Sequence, residues 1–393
     1  MVTMPHKSIV MVGPLPPQVG GIETFVFNIM QSNLVQKHDI KLINISKPLI
    51  TKKPEFRTLS GYRRCFGRGI KVLVISYSYS VLFFFKFLWT LFSRRVDIVH
   101  LHTASYTSFW EKCAYIWVAK ALRKKVIIHM HASRFEQFYD ESHVLFQRWI
   151  AYFLSLCDHV IVLSKSWYRF YTRFLNPAKL ERVPNGIDLR LERTQSKSET
   201  PRVVFLGEVG KRKGIYDLIS AAHLLKAKGL NITYDVIGPG EILRAKKSAE
   251  NANLHHEFHF HGPLAGKEKV KVLSRAWIMS LPSYAEGMPL AVLEAMAAGC
   301  AIVSSSVGGI PDVIDHGKHG YLFKPGDIEA FADYISHLVA NPSLLSQFQR
   351  ASLERVRAFD INACADQIDR IYQGTETLTD IKGNSLSHHK VLV

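Results

Sequence analysis

Acidic residues are scarce in this chain. Only 33 Asp and Glu stand against 50 Lys and Arg in 393 residues, giving a formal charge of +17 at neutral pH. That imbalance asks for a polyanionic partner or surface, whether nucleic acid, anionic lipid or a phosphorylated substrate, and does not choose among them. Cysteine is sparse too. Cys65, Cys113, Cys157, Cys300 and Cys364 are scattered, odd in number and never spaced as Cys-x-x-Cys. Neither a disulfide framework nor a zinc knuckle is supported, and a reducing cytoplasm is the expected setting. The opening MVTMPHKSIVMVG lacks the long apolar core and small-residue cleavage site of a signal peptide, and reads as a first strand. No Gly-x-Gly-x-x-Gly follows that strand, so the dinucleotide fingerprint is missing and hydride transfer is disfavoured.

What is present is ample apolar material, 47% hydrophobic against 21% charged residues, in a chain too long for one core. Two domains are expected, with disorder confined to the ends. Short apolar runs alternate with longer helical stretches, the pattern of βαβ units around parallel sheets. Strands are predicted at Ser8–Val12, Lys41–Ile45, Asp97–Leu101, Val126–Met130 and His159–Leu163 in the first half. The pattern restarts with Val203–Leu206, Tyr234–Ile237, Glu257–Phe260, Ile278–Leu281 and Ala301–Ser304. Polar, charged LRLERTQSKSETPR between the halves reads as a linker, which sets an N-terminal domain over 1–188, the linker at 189–202 and a second domain over 203–358. A helix over 359–374 is expected to cross back to the first domain, and the polar tail 375–393 to fray. The fold class is thus α/β, two Rossmann-like doubly wound domains facing a central cleft. Ligands of such sheets bind beyond the strands' carboxyl ends.

The richest segment is SYAEGMPLAVLEAMAAGCAIVSSSVGGIPDVI, Ser283–Ile314. Glu286 and Glu294 are eight residues apart, a little over two helical turns, so both carboxylates are expected on one side of a helix start. Free backbone N–H groups at Gly287, Met288, Leu290 and beyond would face the cleft, a natural cradle for a pyrophosphate. A bare Glu pair at this spacing is ordinarily two surface glutamates. Near the N-terminus, Gly20 and Gly21 in VGGIETFVFNIM let backbone approach a ligand ahead of another helix start. His131 ends a predicted strand, with His129 on the same face. Three His-x-His pairs (His100/His102, His129/His131, His259/His261) place imidazoles two by two on strand faces, but no third ligand or carboxylate motif accompanies them, so no metal site is expected.

In context, EGMPLAVLEAMAAGCAIVSSSVGGIPDVI, followed by HGYLF at His319–Phe323, closely resembles the donor-site signature of family-4 retaining glycosyltransferases. The resemblance implies the GT-B fold and transfer of a hexose from a UDP- or GDP-sugar, with the nucleotide sugar as substrate, no cofactor and no metal. The absence of any Asp-x-Asp agrees with that last point. It implies that Glu286 contacts the donor sugar, Glu294 the ribose, and that His131 lies beside the sugar. FLGEVGKRKGIYDLI resembles the family's Gly-Arg-x4-Lys-Gly segment, so Lys213 would bind the pyrophosphate. Glu208 stands where the family has Arg, leaving Lys211 or Arg212 to take over, or Lys213 and the helix dipole to suffice. RVPNGIDL resembles the family's turn before the linker, with Asn185-Gly186 expected to supply left-handed geometry. Two alternatives keep part of this reading: an epimerase or phosphorylase of the same fold, and a catalytically silent, membrane-bound nucleotide-binding partner.

Thr51–Lys71 carries Lys52, Lys53, Arg57, Arg63, Arg64, Arg68 and Lys71 against one acid, Glu55, and runs into the apolar Val72–Phe92. That stretch reads either as a helix packed on the first sheet or as an aromatic, basic face in a membrane interface. A true span would break the βαβ alternation. From this stretch come the remaining expectations: a lipid-linked or glycan acceptor, an anionic membrane surface as partner, a peripheral position at the inner face of the cell membrane, and no nucleic acid, since no nucleic-acid fold signature accompanies the basic run.

Overall fold

A computed structural model describes residues 6–16, 20–47, 59–190 and 197–374, and side chains within 59–76 only at 75. The basic residues from Lys52 to Lys71, the middle of the linker and the tail therefore lie outside what is described. The first sheet comprises β1 (Ser8–Gly13), β2 (Asp39–Asn44), β3 (Ile98–Thr103), β4 (Lys125–Met130), β5 (His159–Val162) and β6 (Leu180–Arg182), in the spatial order β2-β1-β3-β4-β5-β6. The second comprises β7 (Arg202–Leu206), β8 (Thr233–Ile237), β9 (Phe258–Gly262), β10 (Ile278–Leu281), β11 (Ala301–Ser305) and β12 (Gly320–Phe323), ordered β12-β11-β10-β7-β8-β9. Every pairing is parallel. Central strands such as SIVMVG and IVHLHT are nearly continuous apolar or aromatic runs because helices cover both faces. Each predicted strand is present to within two residues at either end. The three- and four-residue β6 and β12 were not foreseen.

Around the first sheet lie α1 (Gly21–Ile29), α2 (Leu34–Lys37), α3 (Leu59–Ser93), α4 (Thr107–Ala121), α5 (Phe135–Asp140), α6 (Val144–Leu156) and α7 (Lys165–Tyr171). Around the second lie α8 (Ile215–Ala227), α9 (Ile242–Asn251), α10 (Gly266–Arg275), α11 (Leu290–Ala297), α12 (Ile310–Val313), α13 (Ile328–Ala340) and α14 (Pro342–Arg355). Alternation along β1 divides the first lobe's interior. Ile9 and Met11 face the side covered by α1, while Val10 and Val12 pack in the cluster under α3, α4 and α6.

A last helix, α15 (Ile361–Gln373), starts after the Asp360 side chain accepts from Asn362 N–H at 2.7 Å. It returns to the first lobe and packs on α1 and α2. Its buried stripe of Ile361, Cys364, Ala365, Ile368, Ile371 and Tyr372 seals that face, and Asp366 and Asp369 take Lys37 at 2.8 and 3.1 Å. The return is made where the backbones of Ile187 and Ile361 bond at 2.9 Å.

Asn185 and Gly186 depart from expectation. Neither has a positive φ, so no left-handed turn is formed. The glycine is needed for space instead: a β-carbon there would stand 2.9 Å from the Ile361 backbone. Asn185 is buried and its amide donates to the Met288 carbonyl at 2.7 Å, clasping the two lobes. Helix α3 is the crossover between β2 and β3, burying Phe87, Thr90 and Leu91 against the first lobe. Among the described residues no helix is long and apolar enough to cross a membrane.

Candidate functional site

The carboxyl ends of both sheets open onto one cleft, which holds a cavity of about 300 Å³. It is lined by Gly20 and Gly21 at the start of α1, His131 after β4, Arg212 and Lys213 after β7, the loop Glu286–Met288 after β10, and Leu290 and Glu294 on α11. These residues singled out from the sequence therefore border one space; of the two alternatives to the family's Arg, Arg212 is among them and Lys211 is not. A second cavity of about 480 Å³ adjoins it, sharing Ser133 and Glu286 and bounded by Arg134, Gln137, Trp167 and Tyr284.

Glu286 is the centre of this arrangement. Its carboxylate is buried, and one oxygen accepts from the Lys213 ammonium at 2.5 Å and the Ser283 hydroxyl at 2.7 Å. Two charges this close, in surroundings drier than water, fix each other's position. The route to this geometry differs from the expected one. Helix α11 begins only at Leu290, after Pro289, so Glu286 projects from a loop and does not share a helical face with Glu294. Pro289 has no N–H and tolerates the position ahead of a helix. No side chain caps α11, and its first residues, Leu290 and Ala291, line the cavity.

Glu294 accepts from Lys269 of α10 at 2.8 Å. Lys269 lines the cavity, and nothing in the sequence marked it; only the docking of α10 brings it there. Glu208, the acid in the family's Arg position, is largely exposed and accepts from the Arg212 guanidinium at 3.0 Å. Arg212 also donates to the Ala285 carbonyl at 3.4 Å. A guanidinium thus stands at the cavity rim four residues further on than usual, tethered by the acid that replaced its counterpart.

His131 shares a hydrogen bond of 3.0 Å between its Nε2 and Nδ1 of His102, and stacks on His129 at 4.2 Å between ring centroids. Burial pushes its pKa down to about 3, so the ring is neutral. Behind it the structure supplies the third imidazole that the sequence did not show. Adjacent strands β3 and β4 bring nitrogens of His100, His102 and His129 within 4.8 Å of one another. Their ring planes lie 8° to 32° from parallel, so their in-plane lone pairs run side by side and do not converge on one point. His100 bonds the Tyr372 hydroxyl of α15 at 2.6 Å. His261, from the third pair, bonds Asp235 at 2.7 Å instead.

Comparison with known proteins meets this geometry. The family profile described as Glycosyl transferases group 1 matches residues 188–355, and that of Glycosyltransferase Family 4 matches residues 19–191. The chain belongs to the family-4, GT-B type of glycosyltransferases. A 2-deoxystreptamine N-acetyl-D-glucosaminyltransferase of Niallia circulans is 26% identical over 281 residues, 66% of this chain and 71% of that protein. A phosphatidyl-myo-inositol mannosyltransferase of Mycobacterium leprae is 25% identical over 288 residues, 72% of this chain and 74% of the relative. Among solved structures, HepE of Anabaena in complex with UDP-glucose superposes with a TM-score of 0.71 at 15% identity, covering 94% of this chain and all of that one. The likeness to that structure establishes the fold, and the family establishes glycosyl transfer.

Proposed function

We propose that this glycosyltransferase moves a hexose from a UDP- or GDP-sugar to a membrane-associated acceptor, with retention of anomeric configuration and without a metal, in polysaccharide or lipid-linked glycan assembly. The observation that carries the reading is the meeting of Lys213 and Glu286 at 2.5 Å beside the uncapped start of α11. A departing nucleoside diphosphate needs positive charge fixed in advance. Lys213, the α11 amides and Arg212 supply it, doing the work that an Asp-x-Asp metal site does elsewhere. The diphosphate competes with Glu286 for Lys213, and the released carboxylate then faces the sugar. Glu294 accepts from the ribose hydroxyls. Neutral His131 and Glu286 orient the ring, and closure of the lobes excludes water. Gly20 and Gly21 and the adjoining cavity form the acceptor side. The UDP-glucose held by HepE supports a uridine donor, and the four described cysteines, all free and buried, accord with a reducing, cytoplasmic setting at the inner face of the membrane.

The test incubates the protein with a panel of UDP- and GDP-sugars and a membrane extract, following free nucleoside diphosphate and the anomeric proton of the product. Diphosphate release that requires acceptor, an axial product from an axial donor, and indifference to chelator are expected. Glu286→Gln should lower turnover by about 10²–10³-fold. Equal diphosphate release with and without acceptor, or an inverted product, overturns the reading.

A further inference from the structure

We propose that the outer face of α3, α4 and α6 is a docking surface for an anionic phospholipid bilayer. Eighteen large apolar side chains are exposed among the described residues, and thirteen of them lie on these three helices. They include Tyr77, Phe85 and Trp89 on α3, Trp117 on α4, and Trp149 and Tyr152 on α6. The helices form one layer: α3 packs on α4 through Phe87 and Tyr115, with ring centroids 4.8 Å apart, and α4 packs on α6 through Trp110 and Phe146 at 5.8 Å. Between α4 and α6 opens a groove of about 660 Å³, lined by Trp117, Leu145, Trp149, Tyr152 and Phe153, with Arg148 among them. An exposed apolar surface of this extent is far outside what scattered surface residues produce.

Charge and residue type identify the occupant. The sequences of α3 and α6 hold no Asp or Glu, while Lys86 on α3 and Arg148 on α6 are exposed. Arg95, just beyond α3, is almost fully exposed. A second copy seated here would set basic residues against basic residues. On the third helix, α4, the single acid Glu111 is mostly covered, so the face offers an acidic surface little to repel it. An anionic bilayer answers both features: Trp and Tyr settle at headgroup level, and Lys and Arg reach the phosphates. Among the described residues no helix is long and apolar enough to cross, so these helices are placed in the interface. The face also adjoins the chemistry. Helix α5 packs on α6 and begins two residues after Ser133, which borders both cavities of the cleft. The use of this face rests on the proposed transfer to a membrane-associated acceptor; the docking itself does not.

Flotation with vesicles of phosphatidylglycerol and phosphatidylethanolamine, against vesicles of phosphatidylcholine alone, tests it on the full chain. The protein should float with the anionic vesicles and be released by high salt. Phe85→Glu with Trp89→Glu, and separately Trp149→Glu, should each lower the partition coefficient by about tenfold or more. Binding of UDP or GDP by the same variants should be unchanged, which also shows that they fold. Undiminished flotation of both variants overturns the proposal. So does a dimer in vesicle-free solution that Trp149→Glu dissociates, since a second copy then occupies the face. Wild-type protein that floats but binds neither nucleotide refutes the donor reading and leaves the docking surface standing.

Discussion

Acid should undo the first lobe through its histidines. His100, His102 and His129 are fully buried, and four of their ring nitrogens have no hydrogen-bond partner. Burial holds the pKa of His100 down to about 3 and those of His102 and His129 well below the usual value, so all three are neutral in the native protein. Because the folded pKa lies below the unfolded one, the stability is intact above about pH 6.5 and is lost as the pH falls below it. At pH 5 an unfolded imidazole is almost fully protonated, and refusing that proton costs the native state about 2 kcal/mol per histidine. Three of them amount to about 6 kcal/mol, comparable with the whole stability of a typical domain. Urea unfolding at pH 7.5, 6.5 and 5.5 should show the midpoint of the first lobe falling steeply. His129→Leu removes one of the three protons and two orphaned nitrogens. It should be neutral or stabilising at pH 7.5 and should flatten the dependence by about 1.4 kcal/mol per pH unit in the acid range. Equal slopes for wild type and His129→Leu would refute the argument.

Two more substitutions probe separate parts of the fold. Gly214 sits at φ +75°, and a β-carbon there would stand 2.0 Å from the Pro282 carbonyl oxygen; Gly214→Ala should cost about 3 kcal/mol or more and weaken nucleotide binding through its neighbour Lys213, measured by thermal melting and UDP titration. Lys112 is fully buried, its ammonium 3.8 Å from Glu111 and 5.5 Å from the centre of the Tyr115 ring, and loss of solvation depresses its pKa. Lys112→Met should raise the melting temperature, by about 1–3 kcal/mol of stability, and a lowered melting temperature would show that this amine has a partner worth keeping.

The sequence was most legible where physics is local. Apolar strand cores and the segment that lines the cleft at Glu286–Glu294 could be placed by reading along the chain, because each depends on neighbours a few residues away. Short edge strands could not: β6 and β12 hold only three or four residues, too few for a period to show, and owe their pairing to β5 and β11. Strand adjacency was equally hidden. The pairs His100/His102 and His129/His131 were visible separately, but their union on one face follows from β3 lying beside β4. Lys269 entered the cleft by docking of α10, and Asn185 met Met288 by docking of the second lobe, contacts that no local pattern encodes. The family resemblance marked Glu286, but the helical face it was expected to share with Glu294 does not exist; its place comes from the loop before Pro289.

The return of α15 has a consequence for synthesis. Residues near position 100 wait for a hydroxyl at position 372 before their layer is closed. A ribosome making this chain must therefore deliver nearly the whole of the second lobe while the first stands uncovered along α1 and α2. The two halves are consecutive on the message but finish together, and a chain stopped before Ile361 would leave the earlier half with an exposed oily flank for chaperones to find.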